Sequence, residues 1–403
     1  MTLKALAVAA GCSAAFLIYL LVERLALDAR LRRIPVRICV AGTRGKSSVV
    51  RLIAGALRES GTNVVAKTTG SRAAVLLPDG TEREVRRRGL PSVLEQKRIV
   101  RTAARLGAQV LVTEMMSIGE ECLSAESRRL IRPDILVLTN VRLDHLDLMG
   151  RSLEEIAVCL ASAFPVQGTV LLPEEEFFPV FGRRGTALGT KVILVGRKIM
   201  DVSSLKAALA HEELEANIRL ALETARLLGV GDETALRGMA KARPDFGALR
   251  IWDASGTATG SAWSFVNAFA ANDPGSSREA MDRIMDRPSL SGRTFIGLLN
   301  LRKDRGDRTL QWAEALERGD FDRLIRIAVI GGQARAFGRR LKKRAGWSEG
   351  RLVVLKERTP AAIFQNLLRL AAAPAVVIGL GNIGGLGRGI VEFWERTGTT
   401  HGA

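Results

Sequence analysis

Apolar and polar positions follow one recurring order along the first half of the chain. Val36–Ala41 (VRICVA) is a short apolar run that enters a glycine-rich turn, and Lys46–Glu59 then carries its apolar residues at helical spacing. The order repeats. Strands are predicted at Asn63–Ala66, Gln109–Thr113, Ile135–Thr139, Thr169–Leu172 and Lys191–Val195, with helices at Pro91–Leu106, Leu153–Ala163 and Glu212–Leu228 between them. Short apolar strands alternating with amphipathic helices predict a parallel sheet covered on both faces.

The texture changes after Pro244. Asp253–Ser261 is small, polar and glycine-rich, which predicts a loop. A second alternating set follows, with strands at Thr294–Leu299, Leu324–Ile330, Leu352–Val354 and Ala375–Gly379. Helices are predicted at Thr309–Glu317, Ala334–Arg344, Pro360–Ala372 and Gly385–Glu395. Two α/β domains are therefore expected, 34–245 with a parallel sheet and 246–403 with Rossmann-like order, the boundary falling near Arg243–Ala248. A length of 403 residues agrees with two domains rather than one.

The N-terminus breaks the pattern. Ala5–Val22 is eighteen residues without a charge, long enough for a membrane-spanning helix. Arg24, Arg30, Arg32, Arg33 and Arg37 follow it, against a single Lys4 before it, so the positive-inside bias puts the body of the protein in the cytoplasm. The rival reading is a cleaved signal peptide, with Ala-x-Ala-like sites around Ala26–Ala29. A nucleotide motif follows at once, and nucleoside triphosphates are cytoplasmic, which favours an uncleaved anchor over 1–33 with a basic linker.

Composition excludes several classes. Aromatics are 5%, which does not suit a protein that stacks many bases, so no nucleic-acid partner is expected. Cys12, Cys39, Cys122 and Cys159 form no CxxC pair, which excludes a cysteine-built zinc module. The net charge of +18 favours polyanions, anionic headgroups or phosphorylated ligands, although arginine-rich codon usage accounts for the excess equally well. Basic clusters such as Arg86–Arg88 and Arg339–Arg344 are expected on solvated faces.

Three segments carry candidate chemistry. Gly42-Thr43-Arg44-Gly45-Lys46-Ser47 sits between a strand and a helix, where backbone N–H groups and the helix N-terminus cradle phosphate oxygens. Lys46 would neutralise terminal phosphates and Ser47 would take a metal ion. The loop is a shortened P-loop, because Val40 stands where the full pattern has glycine. Glu114 ends a buried strand and should point into the crevice where α/β sheets bind ligands. Asn140, Asp144, His145 and Asp147 follow another strand end (TNVRLDHLD). Ser47, Glu114 and His145 together offer oxygen and imidazole ligands suited to hydrated Mg²⁺.

GTRGKS, a strand-end Glu and TNVxxDHxDxxG resemble the Mur ligase superfamily of ATP-dependent amide-forming ligases. Glu212–Gly229 resembles its adenine-side helix, with Asn217 in the asparagine position, and Phe246–Arg250 (FGALR) resembles its linker with a nucleotide-binding arginine, Arg250. The chain is most similar to the ligase subunit of poly-γ-glutamate synthase (CapB/PgsB type) of capsule biosynthesis. That resemblance rests on the anchor lying just before the P-loop and on strings in order: Lys67–Gly70 (KTTG), Glu95–Lys97 (EQK), Asp245–Arg250, Asn267–Asp273, Asn300–Thr309 (NLRKDRGDRT) and Gly379–Gly384. It covers nearly everything after Pro35. Two features depart from the wider superfamily. No separate domain precedes the P-loop, and no lysine lies between Arg151 and Thr190, where many relatives carry a carbamylated lysine.

The resemblance implies that ATP phosphorylates a glutamate γ-carboxylate and that an amine attacks the acyl phosphate. It implies ATP and Mg²⁺ as cofactors, with Gly42, Thr43, Arg44, Gly45, Lys46, Ser47, Ser48, Asn217 and Arg250 on the nucleotide and Ser47, Glu114 and His145 on the metal. Lys46, His145, Arg250, Arg302, Asp304 and Arg305 are the implied catalytic set, and Asn272 and Asp273 would orient the amine. Implied partners are glutamate and its growing polymer, a small integral-membrane subunit (CapC/PgsC type), export subunits and the membrane of a bacterial cell; a homo-oligomer is compatible with this. Two alternatives stay open: a ligase like folylpoly-γ-glutamate synthetase, and a P-loop NTPase that energises an export complex.

Overall fold

In the computed structural model of the protein, the apolar run Val36–Ala41 is strand β1, and it is hydrogen-bonded on both sides by parallel neighbours. The structure describes residues 3–401 apart from 71, 88, 90, 197–212, 214, 255–262, 346–349 and 373. His211, the predicted helix start at Glu212 and most of the predicted loop Asp253–Ser261 lie outside the described residues. The chain divides into two units, Met1–Asp245 and Phe246–Ala403.

The first unit contains, after β1, strands β2 (Val64–Thr68), β3 (Ala74–Leu76), β4 (Glu82–Glu84), β5 (Val110–Glu114), β6 (Ile135–Leu138), β7 (Thr169–Pro173) and β8 (Lys191–Val195). They form one sheet in the order β4-β3-β2-β5-β1-β6-β7-β8. All pairings are parallel except those of β3 with β2 and β4. The helices are α1 (Leu3–Leu31), α2 (Lys46–Glu59), α3 (Glu95–Arg105), α4 (Glu120–Ala125), α5 (Leu153–Ala161), α6 (Pro179–Leu188), α7 (Glu215–Leu227) and α8 (Asp232–Ala240). Alternate residues of β1 serve opposite faces, as the two-residue strand period requires. Ile38 and Val40 pack with Ile53 of α2, Ile218 of α7 and Met239 of α8, while Cys39 and Ala41 pack with Val100 of α3 and Ile156 of α5. The centre of the sheet is thus buried on both sides.

Two features differ from the sequence expectation. Strands β3 and β4 form an antiparallel edge hairpin that the strand pattern does not predict. Their three-residue lengths are too short to show alternation, although the turn Pro78-Asp79-Gly80 is a strong local signal. The second concerns the segment read as anchor plus linker. Helix α1 is continuous to Leu31, and Leu27, Leu31 and Ile34 are buried in the core of the unit. Glu23 pairs with Lys97 of α3 at 2.8 Å and Asp28 with Arg132 at 2.6 Å. The last two turns of the helix are therefore part of the globular body, because their leucines gain more from the α3 side of the core than from water.

The second unit has strands β9 (Arg250–Ala254), β10 (Trp263–Asn267), β11 (Thr294–Asn300), β12 (Arg326–Ile330), β13 (Leu352–Val354), β14 (Ala375–Gly381) and β15 (Gly398–Thr400). The sheet order is β13-β12-β11-β14-β10-β9-β15, parallel from β13 to β10 and antiparallel at β9 and β15. Its helices are α9 (Pro274–Met285), α10 (Gly306–Glu317), α11 (Ala334–Ala345), α12 (Pro360–Leu367) and α13 (Leu386–Thr397). The expected alternating set forms the parallel part. Strands β9 and β10 add an aromatic layer against α13, in which the Phe265 ring centroid lies 5.2 Å from that of Trp394.

Candidate active site

Strand order decides where the chemistry gathers. From β1 the chain crosses to β2 on one side, and later to β6 on the other, so the loop after β1 opens at a switch point. Gly42 there has φ 119°, and a Cβ on it would lie 2.2 Å from Thr139 Oγ1. Gly45 has φ 77°, and a Cβ on it would lie 2.8 Å from the Asn217 amide. Both conformations favour glycine and both spaces are closed to a side chain.

The residues after β6 hold this loop from the neighbouring strand. Asn140 Oδ1 accepts from Thr43 Oγ1 at 2.7 Å and from Arg44 N at 2.9 Å, and Thr139 Oγ1 donates to Arg44 O at 2.6 Å. Arg44 pairs with Asp144 at 3.0 Å. The Thr-Asn-x-x-x-Asp segment is therefore a clamp on the loop, a role that its position in the sequence does not reveal. Lys46 Nζ donates to Gly42 O at 2.8 Å and to Thr43 O at 3.4 Å. Burial pulls its pKa below the usual lysine value, against the opposing attraction of Glu114.

Ser47 and Glu114 meet as expected. Ser47 Oγ donates to Glu114 Oε2 at 2.6 Å, and Thr69 N donates to the same oxygen at 2.7 Å. A cavity of about 320 Å³ is lined by Gly42, Thr43, Lys46, Glu114, Asp144 and His145, among others. His145 sits at φ 46°, a strained backbone for a non-glycine residue, in the turn closed by Leu148 N and Met149 N on its carbonyl. Among the described residues, no three His, Cys, Asp or Glu side chains gather as a metal site. An ion at Ser47, Glu114 and His145 would thus take much of its shell from water and phosphate oxygens, which suits a hard cation. Ser48 lies in the first turn of α2. Asn217 lies against Gly45, and its buried Oδ1 has no hydrogen-bond partner among the described residues. That orphaned acceptor, the closed glycine cradle and the desolvated Lys46 fit a nucleotide.

Glu126 is the functional residue that sequence reading misses. It is fully buried, and its carboxylate accepts from Gln96 Nε2 at 2.5 Å, Met116 N at 3.0 Å and Ser117 N at 2.7 Å. Those bonds set the turn directly after Glu114. A glutamate followed by Ser127, Arg128 and Arg129 carries no signal of this. Glu126→Ala leaves the backbone N–H groups of Met116 and Ser117 without this acceptor, while Gln96 Nε2 keeps Glu114 O, so a loss of about 2–4 kcal/mol in unfolding free energy is expected. Urea denaturation of both proteins checks it, with Glu126→Gln intermediate.

The remaining candidates lie in the second unit. Arg250 pairs with Glu395 at 2.7 Å and stacks 4.8 Å over the Trp252 ring. Arg302 binds Asp304 through Nε at 2.8 Å and Nη2 at 2.5 Å. That contact holds the Asp304 carboxyl below its usual range. Both line a cleft of about 590 Å³ at the carboxyl ends of β11, β12 and β14, together with Lys303, Arg335 and Arg358. Arg305 instead pairs with Asp307 at 3.6 Å. Within this unit Arg302 and Arg305 thus sit in separate local salt bridges. Asp273 accepts from Ser276 N at 2.8 Å as the N-cap of α9. The neighbouring Asn272 has a buried Oδ1 without a hydrogen-bond partner among the described residues.

Residues 40–212 match the model of the Mur ligase middle domain, and residues 254–397 that of the poly-gamma-glutamate synthase CapB C-terminal domain. The PGA synthase CapB of Bacillus subtilis (strain 168) is 32% identical over 367 residues, 89% of this chain and 90% of that protein. The chain belongs to the CapB family. The capsule biosynthesis protein CapB of Bacillus anthracis is 36% identical over 307 residues, which span 75% of this chain and 65% of that protein. Among solved structures, Escherichia coli FolC in complex with ADP covers 95% of this chain and 97% of its own, with a TM-score of 0.65 at 16% identity. Mycobacterium tuberculosis folylpolyglutamate synthase complexed with ADP gives 0.64 at 17% identity, covering 92% and 93%. At such identities they establish the fold that CapB proteins share with these ligases, a Mur-ligase-like pair of α/β units.

Proposed function

We propose that this protein is an ATP-dependent amide ligase that polymerises glutamate through its γ-carboxyl group, a reading supported by its likeness to the PGA synthase CapB of B. subtilis. The single observation that carries this is the contact of Ser47 with Glu114 beneath the clamped Gly42–Ser47 loop, since a phosphate cradle and a strand-end carboxylate are what carboxylate activation needs. ATP supplies the phosphoryl group that turns a carboxylate into an electrophile, and a divalent cation, Mg²⁺ in this reading, offsets the charge that gathers in that transfer.

The chain's own residues position and neutralise. Backbone N–H groups of Gly45–Ser48 bind phosphate oxygens, while those of Thr43 and Arg44 stay on Asn140, and Lys46 brings a desolvated cation to the phosphates. Ser47, Glu114 and His145 hold the metal, and Asn217 offers its unpaired acceptor to the base of the nucleotide. Arg250, Arg302, Asp304 and Arg305 serve the reaction from the second unit. Membranes given ATP, Mg²⁺ and labelled glutamate should yield a long free polymer. A folate carrying a few labelled glutamates, or ATP hydrolysis without incorporation, would refute the proposal.

Helix α1 is apolar and long enough to cross a membrane, with its apolar window wholly exposed. In this reading it anchors the enzyme to the bacterial cell membrane, with both α/β units in the cytoplasm beside integral-membrane and export partners. Removing residues 1–22 should release a folded enzyme from the membrane fraction at high salt. Removing 1–31 should also lower the melting temperature, because Leu27 and Leu31 are each worth roughly 1.5–3 kcal/mol in the core. Equal melting temperatures of the two truncations would contradict the packing of α1.

A further inference from the structure

A second cleft adjoins the cavity of Lys46 and Glu114 and has no part in the chemistry above. It has a volume of about 450 Å³ and is lined by Arg86, Arg87, Ser92, Glu95 and Arg98, among others. Arg87 lines both spaces, so its side chain is a wall that they share. Glu95 is the one carboxylate on the described walls, and it is already engaged. Its Oε1 accepts from Arg87 Nε at 2.7 Å, its Oε2 from Arg87 Nη2 at 3.1 Å, and Lys67 Nζ stands 3.3 Å behind it. Burial alone would raise the Glu95 pKa, but Arg87 and Lys67 outweigh it and keep the group ionised below the usual range. Lys67 is buried at 1% exposure, so its charge serves Glu95 rather than solvent. The result is a guanidinium at Arg87 fixed from behind. Among the described residues, Arg86 and Arg98 form no ion pair. Three guanidinium groups therefore face the cleft against one carboxylate that two cations already share.

We infer that this cleft binds the side carboxylates of the polymer already made, a γ-linked glutamate oligomer, and holds its growing end beside the Lys46–Glu114 cavity. The inference rests on the ligase reading for what the oligomer is. Arginines spaced along a cleft suit an extended anion that carries one carboxylate per residue, since each guanidinium can take a carboxylate in a two-point contact. A single glutamate has too few carboxylates to use all three. The placement fits as well. Arg98 and Glu95 belong to α3, whose Lys97 is paired with Glu23 of α1, so the helix that lines the cleft also packs against the anchoring helix.

The test uses the full chain in detergent micelles and a synthetic, fluorescently labelled γ-linked glutamate oligomer. The double variant Arg86→Ala/Arg98→Ala should weaken oligomer binding at least about tenfold, as loss of two charge-assisted contacts implies. It should shorten the polymer while leaving KM for ATP unchanged. Arg101→Ala/Arg105→Ala, on the same helix but outside the cleft, should leave both readouts as in the parent. Unchanged oligomer affinity in the first variant, or equal losses in both, overturns the inference. So does a first variant whose only change is a smaller response to anionic lipid in nanodiscs, since the arginines would then serve the membrane. A parent chain that binds the oligomer but incorporates no glutamate would sink the ligase reading instead and leave the subsite standing.

Discussion

Lys46→Ala is expected to lower ATP-dependent amide formation by at least about 10²–10³-fold, the usual cost of removing one preorganised charge from a phosphoryl-transfer site. The ammonium is already in place, held across the loop by the carbonyls of Gly42 and Thr43. It is also desolvated, which magnifies its effect on phosphate oxygens. The same desolvation separates function from stability. A lysine whose pKa is lowered on folding is a charge that folding disfavours, so its removal should leave the melting temperature unchanged or slightly raised. The clamp by Thr139 and Asn140 does not involve the Lys46 side chain, so the loop keeps its shape. Glutamate incorporation and ADP release, measured beside a thermal melt, check both halves. Near-normal turnover would remove the phosphate-loop assignment altogether.

The second large effect is expected at Glu114. Its Oε2 receives Ser47 Oγ and Thr69 N, so one oxygen joins the loop after β1 to the end of β2. Glu114→Gln keeps an acceptor for both donors and removes the charge. It should therefore stay folded, lose about 10²-fold or more in turnover, and demand at least about tenfold more Mg²⁺ for half-maximal rate. His145→Ala should raise the Mg²⁺ requirement in the same direction. Bicarbonate depletion should change nothing, since Arg151–Thr190 offers no lysine to carbamylate. A Glu114→Gln enzyme with parental metal dependence would show that the carboxylate only braces the loop.

Much of this protein can be read from its order of residues. The strands at Val36–Ala41 and Lys191–Val195 and the helix at Lys46–Glu59 have the bounds that their apolar spacing predicts. These are local properties: a strand of a parallel sheet is mostly apolar, and a covering helix must be apolar on one face. The Gly42–Ser47 loop is legible for the same reason, because a tight phosphate cradle needs glycines at fixed offsets within a few residues. The charged hairpin β3–β4 is not legible, since its strands are held by pairing with β2 rather than by a pattern of their own.

The sequence by itself determined which residue types are available at the ends of strands. Only the tertiary structure decided which of them meet. Ser47 and Glu114 are 67 residues apart and bond because β5 inserts between β1 and β2. Asn140 clamps the loop because β6 lies on the other side of β1. Glu126 sets the turn after Glu114 through three buried donors, and the leucines at the end of α1 leave the anchor for the core. The physical reason is common to all four. Spacing along a chain reports local conformation, whereas a buried polar group or a docked helix end is specified by partners that sheet order brings to it from far along the chain.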